Sequence, residues 1–438
     1  MNESAPPREV AVIGSGVAGL TAAYVLSKDD RVTLYERDSR LGGHAHTHEI
    51  EYAPGQFVAV DSGFIVHNDR TYPTLVRLFA ELGVQTRDTD MSMSVRADAA
   101  GIEYAGALGL SGLFPEQHMR WNARHLRMLY DVNRFHRRAR ELLEQPDSDL
   151  TLSGFLRRYR FDEYFTDYFM TPLVAAVWSC EPGLCADYPA HYLFRFLDHH
   201  GMLTVFGSPS WRTVVGGSAR YVERIAAQIA EIHTDTPVLA VAERPDGVIV
   251  TDARETRRFD AAVIAVHPRQ ALAMLEAPGP WARAVLGAMP YSTNHARLHT
   301  DESVLPRSKR ARASWNYLVP PEDGDASGIV VTYDLTRLMR LDHIADRRYL
   351  VTLGATELIA PDRVIAEMTY EHPIYTPESI AAQRRLLELD TQRVAFAGAY
   401  HGWGFHEDGA RSGLQAAERI GGRWTPSGEP TPIGAVAG

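Results

Sequence analysis

A chain of 438 residues, 45% of them hydrophobic, carries enough apolar material for a large buried core and is long enough for two or three domains. Its formal charge of −10 and pI near 6.0 exclude the basic face that a nucleic-acid partner requires. No apolar run reaches the ~18 residues of a membrane-spanning helix.

The first residues, MNESAPPREV, have no hydrophobic signal core and run straight into apolar sequence, so no cleaved leader and a cytoplasmic location are expected. Val10 to Ile13 is a short apolar run that breaks at Gly14. Helix-compatible sequence follows from Val17 to Ser27, and a second apolar run from Val32 to Tyr35. The order is strand, turn, helix, strand. The turn reads Gly14, Ser15, Gly16, Val17, Ala18, Gly19. Gly14 permits the tight exit from the strand, Gly16 lets backbone approach a pyrophosphate, and Gly19 lets the helix pack closely on the sheet. Unpaired N–H groups at the helix start favour bound phosphate. Glu36 ends the second strand 22 positions after Gly14, where a carboxylate accepts from ribose hydroxyls and disfavours a 2′-phosphate. Arg37 follows it. The pair Gly42 and Gly43, after Arg40 and Leu41, lets a second loop approach the same phosphates, as an extended dinucleotide needs.

Phe57 to Asn68 reads as a strand around Asp61, Ser62 and Gly63, and Tyr72 to Leu82 as a helix stopped by Gly83. From Met91 to about Thr204 the periodicity is mainly helical and the glycine fingerprints vanish. Within it, Pro115 to Glu144 carries Arg120, Arg124, Arg127, Arg134, Arg137, Arg138 and Arg140 among Trp121, Leu126, Leu129, Tyr130 and Phe135. Such a helix is either a solvated face or a peripheral dock on an anionic membrane. The run Pro172 to Ser179 suits a buried helix able to line a cavity.

Trp211 to Ile229 reads as a turn on Gly216 and Gly217, Ser218 as a helix cap, and a helix of about three turns. His233 to Asp252 gives a hairpin around Asp246 and Gly247, and Asp260 to His267 a buried strand. Alternation in Ala296 to His299, Ser314 to Val319, Ile329 to Tyr333 and Tyr349 to Leu353 marks a β-rich portion. Finally, Val394 to Ala397 is a strand, Gly398 and Ala399 a turn, and Asp408, Gly409 and Ala410 open a helix running to about Ile420, with a mobile tail beyond. Cys180 and Cys185 are expected to be reduced structural thiols, and no metal-ligand spacing appears.

The stretches GSGVAG, LYERDSRLGGHAHT and VAFAGAYHGWGFHEDGARSGLQAAERI together resemble the flavin-containing amine oxidoreductase superfamily. More narrowly, GGHAHT, SWNYLV, VTYDLTRL, YEHPIY and GAYHGWGFHEDG are similar to a bacterial branch of FAD-dependent oxidoreductases associated with cyclopropane-fatty-acid-synthase-like methyltransferases. The resemblance implies an α/β fold: a discontinuous Rossmann-like FAD-binding domain (residues 1–90, 205–285 and 386–425) and an α+β substrate domain (a helical part, 91–204, and a β-rich part, 286–385), with 426–438 as tail. It implies FAD as cofactor, contacts from Gly63 and Phe64 near the flavin ring, adenine binding through the backbone of Val238, and the last helix aimed at the flavin's pyrimidine edge. It also implies a methyltransferase partner. His44 and His46 would contact the cofactor or its covering loop.

Chemistry near the ring would fall to His401 and His406, which either exchange a proton or only hydrogen-bond the flavin and its turn. Tyr400, Trp403 and Phe405 would form an aromatic wall for an acyl chain, a polyene or an apolar amine. The chain departs from amine oxidases in its lysines, which are only Lys28 and Lys309. Where those enzymes place a lysine near the flavin, Leu298, His299, Thr300 and Asp301 are expected here. Gly354 and Ala355 replace the Asn-Pro of the narrower branch after VTL. Three functions remain open: dehydrogenation of an apolar substrate, foremost a lipid acyl chain; amine oxidation to imine and peroxide; and flavin binding in the service of a partner, without turnover.

Overall fold

The computed structural model describes residues 6–146, 148–179, 181–204, 207, 209–319, 330–344, 347–354 and 356–424. Cys180, Ala355, residue 329 and the tail 426–438 lie outside the described residues.

Its organising layer is a five-stranded parallel sheet in the order Glu231–His233, Arg31–Tyr35, Glu9–Ile13, Ala261–Ile264, Val394–Phe396. The central strand has Val10 beside Val32 on one side and Ala261 on the other. Both faces of these strands are covered, which is why they read as continuous apolar runs rather than alternating ones. The helix Val17–Leu26 is buried along its whole length, and the closing helix His406–Arg419 lies against it. That contact is very close, since a Cβ on Gly413 would stand 2.1 Å from the Ala18 carbonyl oxygen.

A seven-stranded sheet forms the second layer, in the order Val364–Pro373, Tyr291–His299, Leu350–Leu353, Val331–Asp334, Trp315–Leu318, Met93–Ala97, Ile102–Ala105. The last two strands correct the helical reading of the chain from Met91. Met93–Ala97 pairs on one side with Ile102–Ala105 and on the other with Trp315–Leu318, more than two hundred residues away, with Met93 opposite Trp315, so tertiary pairing outweighs local periodicity there. Helices then follow, the longest being Ala123–Leu143 and the wall-forming one Thr171–Trp178. An aromatic core of Phe135, Phe155, Phe165 and Phe194 joins them, with Phe155 and Phe194 rings 4.6 Å apart.

Ser218 does not cap its helix in the expected way. Its backbone is already helical, and its N–H and hydroxyl both donate to buried Asp61, while the Thr47 hydroxyl accepts from the Ala219 N–H. The cap is thus built from sequence-distant residues, and the helix is shorter than expected, Ala219–Ala226. Among the described residues no helix is long and apolar enough to cross a membrane, and no cluster of His, Cys, Asp and Glu could hold a metal ion. Cys185 is buried.

Candidate functional site

The turn after the first strand shows why each glycine is there. Gly14 has φ +97°, and a Cβ on it would come 2.5 Å from the Ala265 carbonyl oxygen. A Cβ on Gly19 would strike the Gly14 carbonyl at 1.8 Å, whereas one on Gly16 would meet nothing within 4 Å. Gly16 therefore faces open space, bounded by the start of the helix, where the first N–H groups have no intrahelical partner. The second glycine loop is tied to the first, with the Gly42 N–H donating to the Ser15 carbonyl at 3.0 Å. Arg40 closes this loop by donating to the Gly43 carbonyl at 2.7 Å. Glu36 is buried and accepts from the Ser15 N–H at 2.8 Å and the Ser15 hydroxyl at 2.6 Å through one oxygen. Its other oxygen accepts from the Asp38 N–H at 3.0 Å. The carboxylate thus fixes the turn and keeps acceptor capacity on the cavity side.

That open space belongs to a cavity of about 1460 Å³. Most ligand pockets measure ~300–1,000 Å³, so this one can hold a dinucleotide and a second molecule. At one end the wall is the glycine turn, Glu36, Arg37 and Val238. Mid-cavity it passes Gly43, His44, Gly63, Phe64, Gly398, Ala399 and Tyr400, and it continues past Trp403, Phe405 and His406. Gly19 and Gly42 stand behind this wall as supports. Three buried polar atoms here have no partner among the described residues: His44 Nε2, the Tyr400 hydroxyl and Trp403 Nε1. Buried polar atoms of this kind call for a partner such as water, an ion or a ligand, and these three on the cavity wall fit a polar-edged ring system held between the two glycine-rich ends.

Several expected residues take other places. Asp408, Gly409 and Ala410 do not line the cavity, because the helix opens at His406. Asp408 accepts from the Trp403 and Phe405 N–H groups and pairs with Arg411, stitching the aromatic loop to the helix. Gly409 is small because Val17 packs against it, and Ala410 is core. His401 lies off the wall. His406 lies on it, stacked on Phe64 with ring centroids 3.8 Å apart and its Nε2 3.0 Å from the Tyr221 hydroxyl. Burial pushes His406 down to about 3 and His401 down to about 4, so both stay neutral near pH 7 and fit positioning better than proton storage. Leu298 and His299 also lie off the cavity, His299 bonded to the Thr352 hydroxyl at 2.8 Å. Tyr291 and Thr293 are the residues of that strand that face it.

Sequence reasoning missed a histidine group on the strand Val364–Pro373 and beside it. His372 and Glu371 line the cavity with His267, and His267 Nδ1 stands 3.0 Å from a Glu371 carboxylate oxygen. His44 and His372 ring centroids are 5.4 Å apart. Tyr370, also on the wall, bonds the Ser62 hydroxyl at 2.7 Å, and Ser62 bonds His48 Nε2 at 2.8 Å, leading to a half-exposed surface. The segment YEHPIY, which contains Tyr370, Glu371 and His372, was the available signal: three polar residues in succession where a half-buried strand would alternate.

Beyond the ring region the cavity has an apolar arm, including Met93, Val95, Val132, Phe169, Leu173 and Val177. Phe169 sits in a π-helical turn, Thr166–Met170, a local widening common at functional sites. Among the described residues, each carboxylate on the cavity wall has a polar partner: Glu36 has Ser15, Asp38 has Arg37, Asp88 has Arg212, Asp90 has Arg337 and Glu371 has His267. No lysine lines it.

A parallel sheet with a glycine turn at its carboxyl edge, a terminal acid and a second glycine loop define a dinucleotide-binding flavoprotein fold. The model of the flavin containing amine oxidoreductases matches residues 17–333, and the chain belongs to that family. By class it is a FAD-dependent oxidoreductase. It is 30% identical over 311 residues to the carotenoid phi-ring synthase of Streptomyces griseus, covering 66% of this chain and 57% of that protein. The chain thus spans little more than half the length of this curated relative. Among solved structures, cyclohexylamine oxidase from Brevibacterium oxydans IH-35A superposes with TM-score 0.69 at 18% identity, over 95% of this chain and 99% of its own. A CLA-producing fatty acid isomerase from P. acnes gives TM-score 0.68 at 16% identity, over 94% and 99%. These two likenesses concern the fold alone.

Proposed function

We propose that this protein dehydrogenates an apolar, chain-like substrate, with a lipid acyl chain as the leading choice. The observation that carries this reading is the apolar arm, where Met93, Val95, Val132, Phe169, Leu173 and Val177 present hydrocarbon and no charge. An ammonium entering that arm would lose its hydration among these side chains, none of which carries a counter-charge. A hydrocarbon chain gains about 0.8 kcal/mol for each CH₂ buried there. Bound FAD supplies an acceptor for one hydride, two electrons and one proton's mass.

The chain's own residues do the rest. The glycine turns and Glu36 would hold the phosphates and ribose, and the strand backbone at Val238 the adenine. The aromatic wall of Tyr400, Trp403 and Phe405 presses the substrate's reacting carbons toward the ring region and excludes water. As two adjacent C–H bonds break and a C=C bond forms, one hydrogen leaves as hydride and the other as a proton. The hydrogen-bonded series Tyr370, Ser62 and His48 gives that proton a way outward, and the His267–Glu371 pair is the charged group nearest to it on the wall. His406 and His401, neutral by burial, position Phe64 and the closing loop.

Names borne by similar proteins agree with an apolar substrate, one being a fatty acid isomerase and another a carotenoid ring synthase. The association with a methyltransferase partner belongs to the same proposal. The test is anaerobic mixing of the FAD-loaded protein with acyl lipids and, separately, with small amines, following flavin absorbance and the mass of the lipid. Loss of the oxidised flavin bands with lipids, and a product two hydrogens lighter, supports the reading. Bleaching by amines alone rejects it.

A further inference from the structure

We propose that the outer face of the helix Ala123–Leu143, with the segment just before it, docks on an anionic lipid surface beside the opening through which the substrate enters. Four large hydrophobic side chains lie exposed within one short stretch: Leu110 at 74%, Trp121 at 87%, Leu126 at 44% and Tyr130 at 69%. Trp121 immediately precedes the helix, and Leu126 and Tyr130 follow one turn apart on a single face. A tryptophan left this open is costly in water and favourable at a headgroup interface, where its ring meets both apolar and polar surroundings.

Charge points to the kind of surface. From Gln117 to Arg140 the chain carries seven arginines and one carboxylate, Asp131, which is buried beneath Arg134 and Arg127. Arg120, Arg124 and Arg140 are exposed and have no ion-pair partner among the described residues. A protein of net charge −10 would be repelled by an anionic membrane, except through a concentrated basic face such as this. The third observation is position. The inner side of the same helix, through Val132 and His136, is wall of the apolar arm. Gly106 and Ala107 are both exposed and both line the cavity, close in sequence to exposed Leu110. The dock and the opening therefore adjoin, and a chain leaving a bilayer reaches the arm without crossing water.

The inference rests on the proposed apolar substrate only for its purpose, and vesicle binding is measured without turnover. FAD-loaded full-length protein is sedimented with vesicles of phosphatidylcholine alone and of phosphatidylcholine with phosphatidylglycerol. Sedimentation only with the anionic vesicles is expected, falling about tenfold or more as salt rises to molar strength. Trp121→Ser combined with Tyr130→Ser should lower binding about tenfold, and Arg120→Glu with Arg124→Glu likewise. All four side chains are exposed, so an unchanged thermal midpoint and flavin spectrum would show that the fold survives. Wild-type protein that stays in the supernatant, or a Trp121→Ser/Tyr130→Ser variant that sediments like wild type, overturns the proposal. So does a variant whose only change is a shift in self-association. Binding without oxidation of acyl chains would reject the substrate reading and leave the dock standing.

Discussion

The cofactor-gripping half and the apolar arm bind in different physical ways. At the glycine turns the contacts come from backbone, including free N–H groups at a helix start, an open Gly16, and a Glu36 that fixes the turn through Ser15. In the arm the contact is side-chain volume, supplied by residues from Met91 to Phe405 on different strands and helices. Backbone recognition needs unusual residues at fixed short spacings. An apolar surface needs only bulk at positions that the fold brings together, so one half is specified locally and the other by tertiary structure.

The largest expected effect breaks the first half and spares the second. Gly16→Val places a side chain in open cavity space, since nothing stands within 4 Å of that Cβ and the residue's φ of −63° suits valine. FAD affinity should drop by at least ~100-fold, on the order of 3 kcal/mol. The apoprotein's unfolding midpoint should stay within a degree or so of wild type. Flavin titration and calorimetry report the two separately, and a variant that still purifies yellow would remove the turn from the cofactor site. Next comes Ala107→Trp at the arm's opening. It should raise KM for long acyl chains about tenfold while leaving FAD affinity and any turnover of short substrates unchanged, because Ala107 is exposed and its replacement displaces no core. An equal loss for short and long substrates would move the entrance elsewhere.

How much was legible follows the same division. Gly14, Gly16, Gly19, Glu36 and the Gly42–Gly43 pair could be assigned separate tasks from sequence because turn chemistry and close packing act within a few residues. The strand from Met93 was misread as helix because it is stabilised by Trp315, far along the chain. His267, Glu371 and His372 went unmarked because their proximity to His44 depends on three elements meeting at one wall. Asp408 and Gly409 were legible as important but not in their role. A helix start in sequence looks alike whether it faces a ligand or packs against another helix, and here Val17 and Ala18 occupy the facing side.

The smallest expected effect concerns the carboxylates that hold the cofactor half together. Burial pushes Asp61 up to about 6 against hydrogen bonds from Thr47 and Ser218, and burial pushes Asp408 up to about 6 against the charge of Arg411. Each native carboxyl therefore binds its proton more tightly than the unfolded chain does. Between about pH 4 and pH 6 the folded state carries the excess protons, so these groups make stability fall as pH rises through that window and level off above it. Asp61→Asn keeps an oxygen to accept from Thr47 and Ser218 but cannot titrate. Its urea midpoint should change little near pH 5 to 7, within about 1 kcal/mol, while its slope between pH 4 and pH 6 becomes shallower than wild type. Asp408→Asn should flatten the same window and also loosen Trp403 and Phe405, whose N–H groups it holds at 3.0 and 3.1 Å, so substrate KM shifts in that variant and not in Asp61→Asn. Identical pH slopes in wild type and both variants would mean that the two carboxyls titrate in the folded protein as they do in the unfolded one, and that the cofactor half is held without cost from its buried charges.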